Sequence, residues 1–344
     1  RWNHGDFSPC QSGRTAPHPR SRPATHVRSA PAHDPRVLDG LRSGRVNDLL
    51  VTGSRGFVGR HLLARAADRG IAAAGASGDL RDPAAAAAAV VAAAPRAVVH
   101  LAGTPHAARR AEPWAALLDD LRMAGNVVEA VARHAPDAVV LVAGSAAQYG
   151  FGLDRRLRED DPTAPLSAYG AAKDLVERAV LGPGTALGVR TIAVRAFNHC
   201  GPGQGLDAPA AQWARQLAQA RRAGGGTLRT GALGAQRDFL DVRDVADAYL
   251  ALALDAPAAA GVVNVCSGEP VGLDRVVALL VEAAGVAVTV ERDPALVRAD
   301  DPPFVVGDPG RLQALTGWRP RIPLPQSLAD QLAEHLTSLE TTTA

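Results

Sequence analysis

Tyr169 and Lys173 stand four residues apart in the stretch Ser167 to Arg178, which reads Ser-Ala-Tyr-Gly-Ala-Ala-Lys-Asp-Leu-Val-Glu-Arg. On a helix that spacing stacks the two side chains on one face, so an ammonium sits beside a phenol. A phenol ordinarily gives up its proton only near pH ~10, and a neighbouring cation favours the phenolate, which suits proton exchange with a bound carbonyl or alcohol oxygen. Lys173 is the only lysine in the 344 residues, and arginine supplies every other basic side chain. A compact, titratable charge kept against such an arginine bias points to a task arginine does not perform. Alone, the pair also describes an ordinary helix with one residual lysine. The surrounding elements decide between the two.

The first of those elements is the apolar run Asp48 to Thr52, followed at once by Gly53-Ser54-Arg55-Gly56-Phe57-Val58-Gly59 and an amphipathic pattern through Arg69. This reads as a buried parallel strand, a glycine turn and a helix. Glycines let the backbone turn tightly and approach a pyrophosphate, whose charge the helix N-terminus meets. Strand and helix patterns then alternate: strands at 71–74, 97–100 and 138–142, helices at 83–94 and 112–134, and the Tyr169 helix. A strand at 191–195 follows. That rhythm predicts an α/β fold with a doubly wound parallel sheet of the Rossmann kind, its ligands at the carboxyl ends of the strands. Ser145 lies at such an end, after the strand closing at Val142. Further on the sequence predicts a loop at 201–205, helices at 210–223, 245–254 and 273–284, short strands within 228–240, and strands at 261–265 and 286–290. Helices near Pro309 and Pro325 complete it.

Composition bounds the partners. With 47% hydrophobic and 21% charged residues and a net charge of +2, the chain is globular and large enough for a substantial core, with no charge excess toward nucleic acid. No apolar run approaches the ~18 residues of a membrane span. Cys10, Cys200 and Cys266 lack metal-ligand spacing, so no metal is expected and a reducing cytoplasm fits. Residues 1–45, rich in Arg, Pro, Ser and His without apolar period, read as a disordered extension with no export signal. The expected organisation is a dinucleotide-binding domain over 46–197 plus about 238–266, and a smaller C-terminal substrate lobe from 198–237 and 267–335.

Several motifs, in order, resemble the extended short-chain dehydrogenase/reductase family acting on nucleotide sugars, over about residues 48–335. They are Gly53, Gly56 and Gly59; Gly78-Asp79-Leu80; His100-Leu101-Ala102-Gly103; Ser145 four residues before Tyr149; and Tyr169 with Lys173. Arg195-Ala196-Phe197-Asn198-His199-Cys200-Gly201-Pro202-Gly203-Gln204, the run Arg237 to Asp244, and Asn264 to Gly268 are most similar to the family's reductases of 4-keto-6-deoxy sugars on GDP or dTDP, the latter from antibiotic pathways. The resemblance implies that Ser145, Tyr169 and Lys173 are catalytic. It implies that Gly53, Arg55, Gly56, Phe57, Val58, Gly59, Asp79, Leu80, Leu101, Ala102, Gly103, Tyr169 and Lys173 hold the dinucleotide. It places Ser145, Asn198, Arg237 and Arg298 on the substrate, the arginines gripping its diphosphate, and it makes a homodimer the expected assembly. Thr104 and His106 would face the sugar. Asp120 stands where the family usually has asparagine.

Four reactions of that family compete. Dehydration needs further acid and base groups after the catalytic serine, where this chain has Ala146 and Ala147. Epimerisation at C3 and C5 needs a cysteine in place of Ala147. Reduction of a 4-keto sugar and epimerisation at C4 remain, and both use Ser145, Tyr169 and Lys173. Sites selective for NAD end their second strand in an acid, whereas this one runs out as Ala74-Gly75-Ala76-Ser77, and Arg55 offers a partner for a 2′-phosphate. The expected enzyme is a 4-ketoreductase using NADPH, with NADH possible. A 4-epimerase and a catalytically silent dinucleotide-binding regulator are the alternatives.

Overall fold

The computed structural model describes residues 47–150, 153–297 and 301–341. The expected extension at 1–45, Cys10 and Arg298 lie outside the described residues.

Six short strands make the central sheet: β1 (Leu49–Thr52), β2 (Ala73–Gly75), β3 (Ala97–His100), β4 (Val139–Ala143), β5 (Arg190–Ala196) and β9 (Gly261–Val265). Their order is β2-β1-β3-β4-β5-β9, and every pairing is parallel. Parallel strands are covered on both faces and therefore carry apolar residues at successive positions. Alternation of side chains along a strand sends them to two cores. Leu49, Val51, Val99, Leu141 and Val194 join one cluster, together with Leu62 of α1 (Phe57–Asp68) and Tyr249 of α7 (Val242–Leu250). Leu50, Val98, Val140 and Val142 join the other, with Val90 of α2 (Pro83–Ala93), Val127 of α4 (Pro113–His134) and Val176 of α5 (Ala168–Ala186). Burying each Val or Leu stabilises by ~1.5–3 kcal/mol relative to exposure, so the two faces anchor the strand ends.

The path of the chain reverses between β1 and β3, which are neighbours in the sheet although β2 intervenes in sequence. A crevice opens there at the carboxyl ends, the place where open α/β sheets take ligands. The expected α/β doubly wound architecture is thus present.

Beyond β5 the chain builds smaller units. β8 (Gln236–Asp241) pairs with β6 (Asn198–Cys200), β10 (Pro270–Gly272) and β12 (Phe304–Val305), and β7 (Gly226–Thr230) pairs with β11 (Val288–Arg292). Helices α6 (Pro209–Ala223), α8 (Leu273–Ala284) and α10 (Leu324–Thr341) pack through Trp213, Leu217, Leu280 and Leu328. Asp238 in β8 is fully buried. It accepts from the Ser267 backbone N–H and hydroxyl and from the Gly268 N–H, tying β8 to the chain after β9.

Some boundaries differ from expectation. The last helix before β9 starts at Val242, capped by the Asp241 carboxylate, and relaxes into a π-helical turn at Ala251–Asp255. β11 sits two residues later than predicted because Gly285, with φ of 60°, ends α8 and the chain then needs length to reach its pairing of Val288 with Gly226. Of two short helices, α3 (His106–Ala111) packs on α4 and α9 (Gly310–Thr316) on β9, and among the described residues no helix is long and apolar enough to cross a membrane.

Candidate active site

The glycine turn is fixed by contacts that exclude side chains. Gly53 has φ of 65°, and a Cβ there would stand 2.7 Å from the Ala102 nitrogen. A Cβ on Gly59 would stand 2.3 Å from the Gly53 oxygen, so α1 closes directly on the turn. Gly56 precedes α1 with no side chain capping the first turn and no acid in it, which leaves its N–H groups for an anionic ligand. Arg55 is exposed at the tip, Phe57 and Val58 are half-buried, and the end of β2 packs so closely that a Cβ on Gly75 would meet Ser54 Oγ at 2.5 Å. These residues fit a dinucleotide pyrophosphate. Asp79 is exposed, and a hydrogen-bonded ion pair with Arg81 holds its carboxyl down to about 2, while Leu80 turns into the core.

The opposite wall is the loop after β3. Thr52 Oγ1 accepts from the Leu101 and Ala102 N–H groups, each at 3.1 Å. With both lone pairs used, its proton goes to His100 Nδ1 at 2.9 Å, which requires a neutral ring. Burial, with the Lys173 charge adding to it against Asp120, pushes His100 down to about 4. A Cβ on Gly103 would lie 3.8 Å from Asp120 Oδ1 and 4.0 Å from Lys173 Nζ, so two opposite charges meet beside this glycine.

The Ser167 hydroxyl caps α5 by accepting from the Gly170 N–H at 3.0 Å, placing Tyr169 in the first turn. Lys173 Nζ donates to the Ala143 oxygen at 2.8 Å and stands 6.0 Å from the centre of the Tyr169 ring. Ser145 follows β4 in extended conformation and opens the 3-10 turn Ala146–Gln148. Its Oγ accepts from the Ala147 N–H at 3.2 Å, which leaves its own proton to be given elsewhere. A Cβ on Gly170 would lie 2.4 Å from the Ala147 oxygen, so the Tyr169 helix abuts the Ser145 turn.

Tyr169 has two further neighbours: the His106 ring at 5.3 Å and the Arg109 guanidinium at 5.5 Å from its centre. Arg109, only 5% exposed, was not anticipated. Its Nη2 donates to Asp120 Oδ2 at 2.6 Å, and Asp120 Oδ1 also accepts from the Thr104 N–H and hydroxyl. The unusual acid is therefore matched by a buried arginine, and Thr104 turns to it. The only sequence signal was Asp120 itself.

A second unanticipated network lies under Ser145. Gln148 Oε1 accepts from the Ser145 N–H at 2.8 Å, and its Nε2 donates to Glu177 at 2.7 Å. Arg195 grips Glu177 with two nitrogens at 2.6 and 2.9 Å and lies 4.6 Å over the Tyr149 ring. The Tyr149 hydroxyl donates to Asn264 Oδ1 at 2.7 Å, and burial pushes this phenol up to about 12. Tyr169, Lys173 and Glu177 recur every four residues, a signal the sequence contained.

Of the other expected substrate residues, Asn198 and Arg237 lie on the paired strands β6 and β8. Asn198 is exposed at the start of β6, paired in register with Phe239, and Arg237 lies two residues away on β8. Arg237 is mostly buried, ion-paired with Asp301 at 2.7 Å and donating to the Gln236 oxygen at 2.8 Å. His199 lies in the middle of β6. It stacks on Phe57 with ring centres 5.8 Å apart, linking β6 to the glycine turn.

A pyrophosphate cradle at the reversal of a parallel sheet, with a tyrosine and a lysine one helical turn apart beside the next strand ends, defines a dinucleotide-dependent oxidoreductase of the short-chain type. Residues 49–266 match the NAD dependent epimerase/dehydratase family, and the chain belongs to it. It is 35% identical over 246 residues to GDP-6-deoxy-D-mannose reductase of Pseudomonas aeruginosa, covering 70% of this chain and 80% of that protein. The structure of RMD from Pseudomonas aeruginosa complexed with NADPH matches with a TM-score of 0.77 at 31% identity, covering 85% of this chain and 99% of that one. UDP-glucose 4-epimerase of Thermus thermophilus in complex with NAD matches with a TM-score of 0.73 at 26% identity, covering 83% of this chain and 98% of that one. The protein is an NAD(P)-dependent oxidoreductase acting on CH–OH groups.

Proposed function

We propose that this enzyme reduces the C4 ketone of a nucleotide-linked 4-keto-6-deoxyhexose, carried on GDP or dTDP, to an alcohol. NADPH, bound along Gly53, Gly56 and Gly59, supplies the hydride. The Ser145 hydroxyl, which accepts from the Ala147 N–H, donates its own proton in a hydrogen bond to the carbonyl oxygen as negative charge builds there. Tyr169 delivers the proton to that oxygen, and Lys173, fixed to the Ala143 carbonyl, stabilises the transient tyrosinate. Asn198, Arg237 and Arg298 hold the diphosphate, so that binding far from C4 orients the reacting carbon. For Arg237 this means exchanging Asp301 for phosphate oxygens.

The observation that carries this reading is the Ser145, Tyr169 and Lys173 constellation with bare alanines beside it. Ala146 and Ala147 transfer no proton, so C5 and C6 stay untouched. The second reading, 4-epimerisation, is supported by likeness to UDP-glucose 4-epimerase. Against it, β2 runs out as Ala74-Gly75-Ala76-Ser77 with no acid for the ribose of NAD, and Arg55 is an exposed cation in the glycine turn available to a 2′-phosphate. A silent regulator would not keep all three reacting groups.

The test is turnover with NADPH dideuterated at nicotinamide C4, on GDP- and dTDP-linked 4-keto-6-deoxyhexoses. Deuterium at sugar C4 is expected. C4 inversion of an ordinary hexose without net cofactor consumption would give the case to the epimerase, and no turnover of any sugar to the regulator.

The finer setting belongs to the same proposal: a cytoplasmic homodimer serving deoxysugar biosynthesis, antibiotic pathways included. Cys200 and Cys266 are unpaired buried thiols, in keeping with a reducing compartment. Trp114 and Leu118 of α4 and Leu175 of α5 expose apolar surface that a second copy would cover, and light scattering reads the outcome.

A further inference from the structure

The reductase reading names Ser145 and Tyr169 but not what fixes one against the other, since they belong to different elements. Ser145 sits at the end of β4 and Tyr169 in α5. Gln148 bridges the two. Its amide is shared between the Ser145 N–H, which it accepts, and the Glu177 carboxylate, to which it donates. A carboxylate only accepts and a backbone N–H only donates, so the amide has one workable orientation and a flip loses both bonds. A Cβ on Gly144 would lie 2.3 Å from Gln148 Oε1, so the bare glycine is what lets the amide lie against the strand end.

Glu177 in turn is immobilised. Arg195 in β5 holds both its oxygens, and Arg195 is itself stacked on Tyr149 and donates to the Glu159 carbonyl at 3.3 Å. Gln148, Glu177 and Arg195 are 0%, 6% and 5% exposed, so water does not compete for these bonds. Glu177 lies one turn beyond Lys173 and two beyond Tyr169, on the face of α5 that carries both. Sliding the Ser145 turn along α5 would break a buried, charge-assisted bond and drive the Ala147 carbonyl into Gly170.

We infer that Gln148 and Glu177 are positioning residues of the reaction, holding the Ser145 hydroxyl at its working distance from the Tyr169 phenol. The inference rests on the reductase reading for its rate effects and on geometry alone for its structural ones. Both residues are buried, and both act through Ser145, Gln148 directly and Glu177 by way of the Gln148 amide.

A double-mutant cycle separates this role from a merely structural one. Gln148→Met keeps the volume and removes both hydrogen bonds. It lowers kcat about 10–100-fold, the cost of ~1 Å misplacement, while the KM for the nucleotide sugar and the Kd for NADPH stay within about threefold. In a Ser145→Ala background the same substitution lowers kcat by less than about threefold, because no hydroxyl remains to be misplaced. An equal loss in both backgrounds overturns the inference. Glu177→Gln, which keeps the shape and removes the charge, runs through the same cycle if Gln148→Met does not fold. Crystal structures give a readout independent of turnover. The Ser145 Oγ to Tyr169 Oη distance changes in Gln148→Met relative to wild type; an unchanged distance overturns the inference. Wild-type protein that turns over no 4-keto sugar sinks the reductase reading instead, and leaves that distance to decide the positioning role.

Discussion

At the scale of single residues, three charged side chains gather at the Tyr169 ring: Lys173 and Arg109 as cations within 6.0 Å of its centre, and Asp120 bound to Arg109. Tyr169→Phe keeps the ring and its packing and removes the proposed proton donor. Turnover falls by about 10²–10⁴-fold while NADPH binding persists; near wild-type turnover would sink the catalytic assignment. Arg55→Ala removes the proposed charge-assisted partner of the 2′-phosphate, a group that only NADPH offers. A loss of about 10–150-fold in NADPH affinity is expected with NADH little changed, read by fluorescence titration of both cofactors. His100 gives a pH signature. Its folded value is depressed to about 4, so the unfolded chain binds the extra proton between that value and 6.5. Its contribution is complete above the unfolded value and is lost as pH falls from 6.5 toward 4, to a total of about 3 kcal/mol. Urea midpoints measured from pH 7.5 to 4 show this slope, and His100→Gln flattens it; an equal slope in both proteins refutes the assignment.

Elements act here through close approach. α1 reaches the glycine turn because Gly59 has no side chain, and α5 reaches the Ser145 turn because Gly170 has none. The short α3 is held differently, by Arg109 donating into Asp120 of α4 in a pair that is 5% and 4% exposed. Two guanidinium nitrogens of Arg109, Nε and Nη1, have no hydrogen-bond partner, so Asp120 is the charge that makes its burial tolerable. Asp120→Ala leaves that cation uncompensated and destabilises by about 3–5 kcal/mol, measured by denaturant unfolding. Asp120→Asn keeps the Thr104 acceptor and restores part of it. Equal stability of Asp120→Ala and wild type would show that the pair contributes nothing.

At the scale of the whole molecule, one sheet carries both the glycine turn after β1 and the Ser145 turn after β4, the proposed cofactor and catalytic positions. Leu141, fully buried in β4, packs on the side of α1 and α7, and the next residues along the strand lead to Gly144 and Ser145. Leu141→Ala is expected to cost about 2–5 kcal/mol in global stability and to lower turnover only in proportion to the unfolded fraction. Turnover falling with the fold fully intact would mean that the core transmits strain to the site.

What the sequence determined by itself is local. A strand, a glycine turn and a helix follow one another within residues 48–69, and Tyr169 with Lys173 is legible because helical spacing alone puts them on one face. Apolar runs long enough to fill a buried strand located the six strands of the main sheet. The strands β6, β10 and β12 were not legible. Two or three residues carry no periodicity, and these exist as strands only because β8 offers them partners. The same reason hid the buried side-chain pairs. Arg109 meets Asp120 across two helices, Gln148 meets Glu177 across 29 positions, and Tyr149 meets Asn264 across 115. Spacing in the chain says nothing about such pairs, because strand order decides which side chains face each other. Only the tertiary structure decided that Asp120 has a buried cation and that Ser145 is hydrogen-bonded, through Gln148, to the helix of Tyr169.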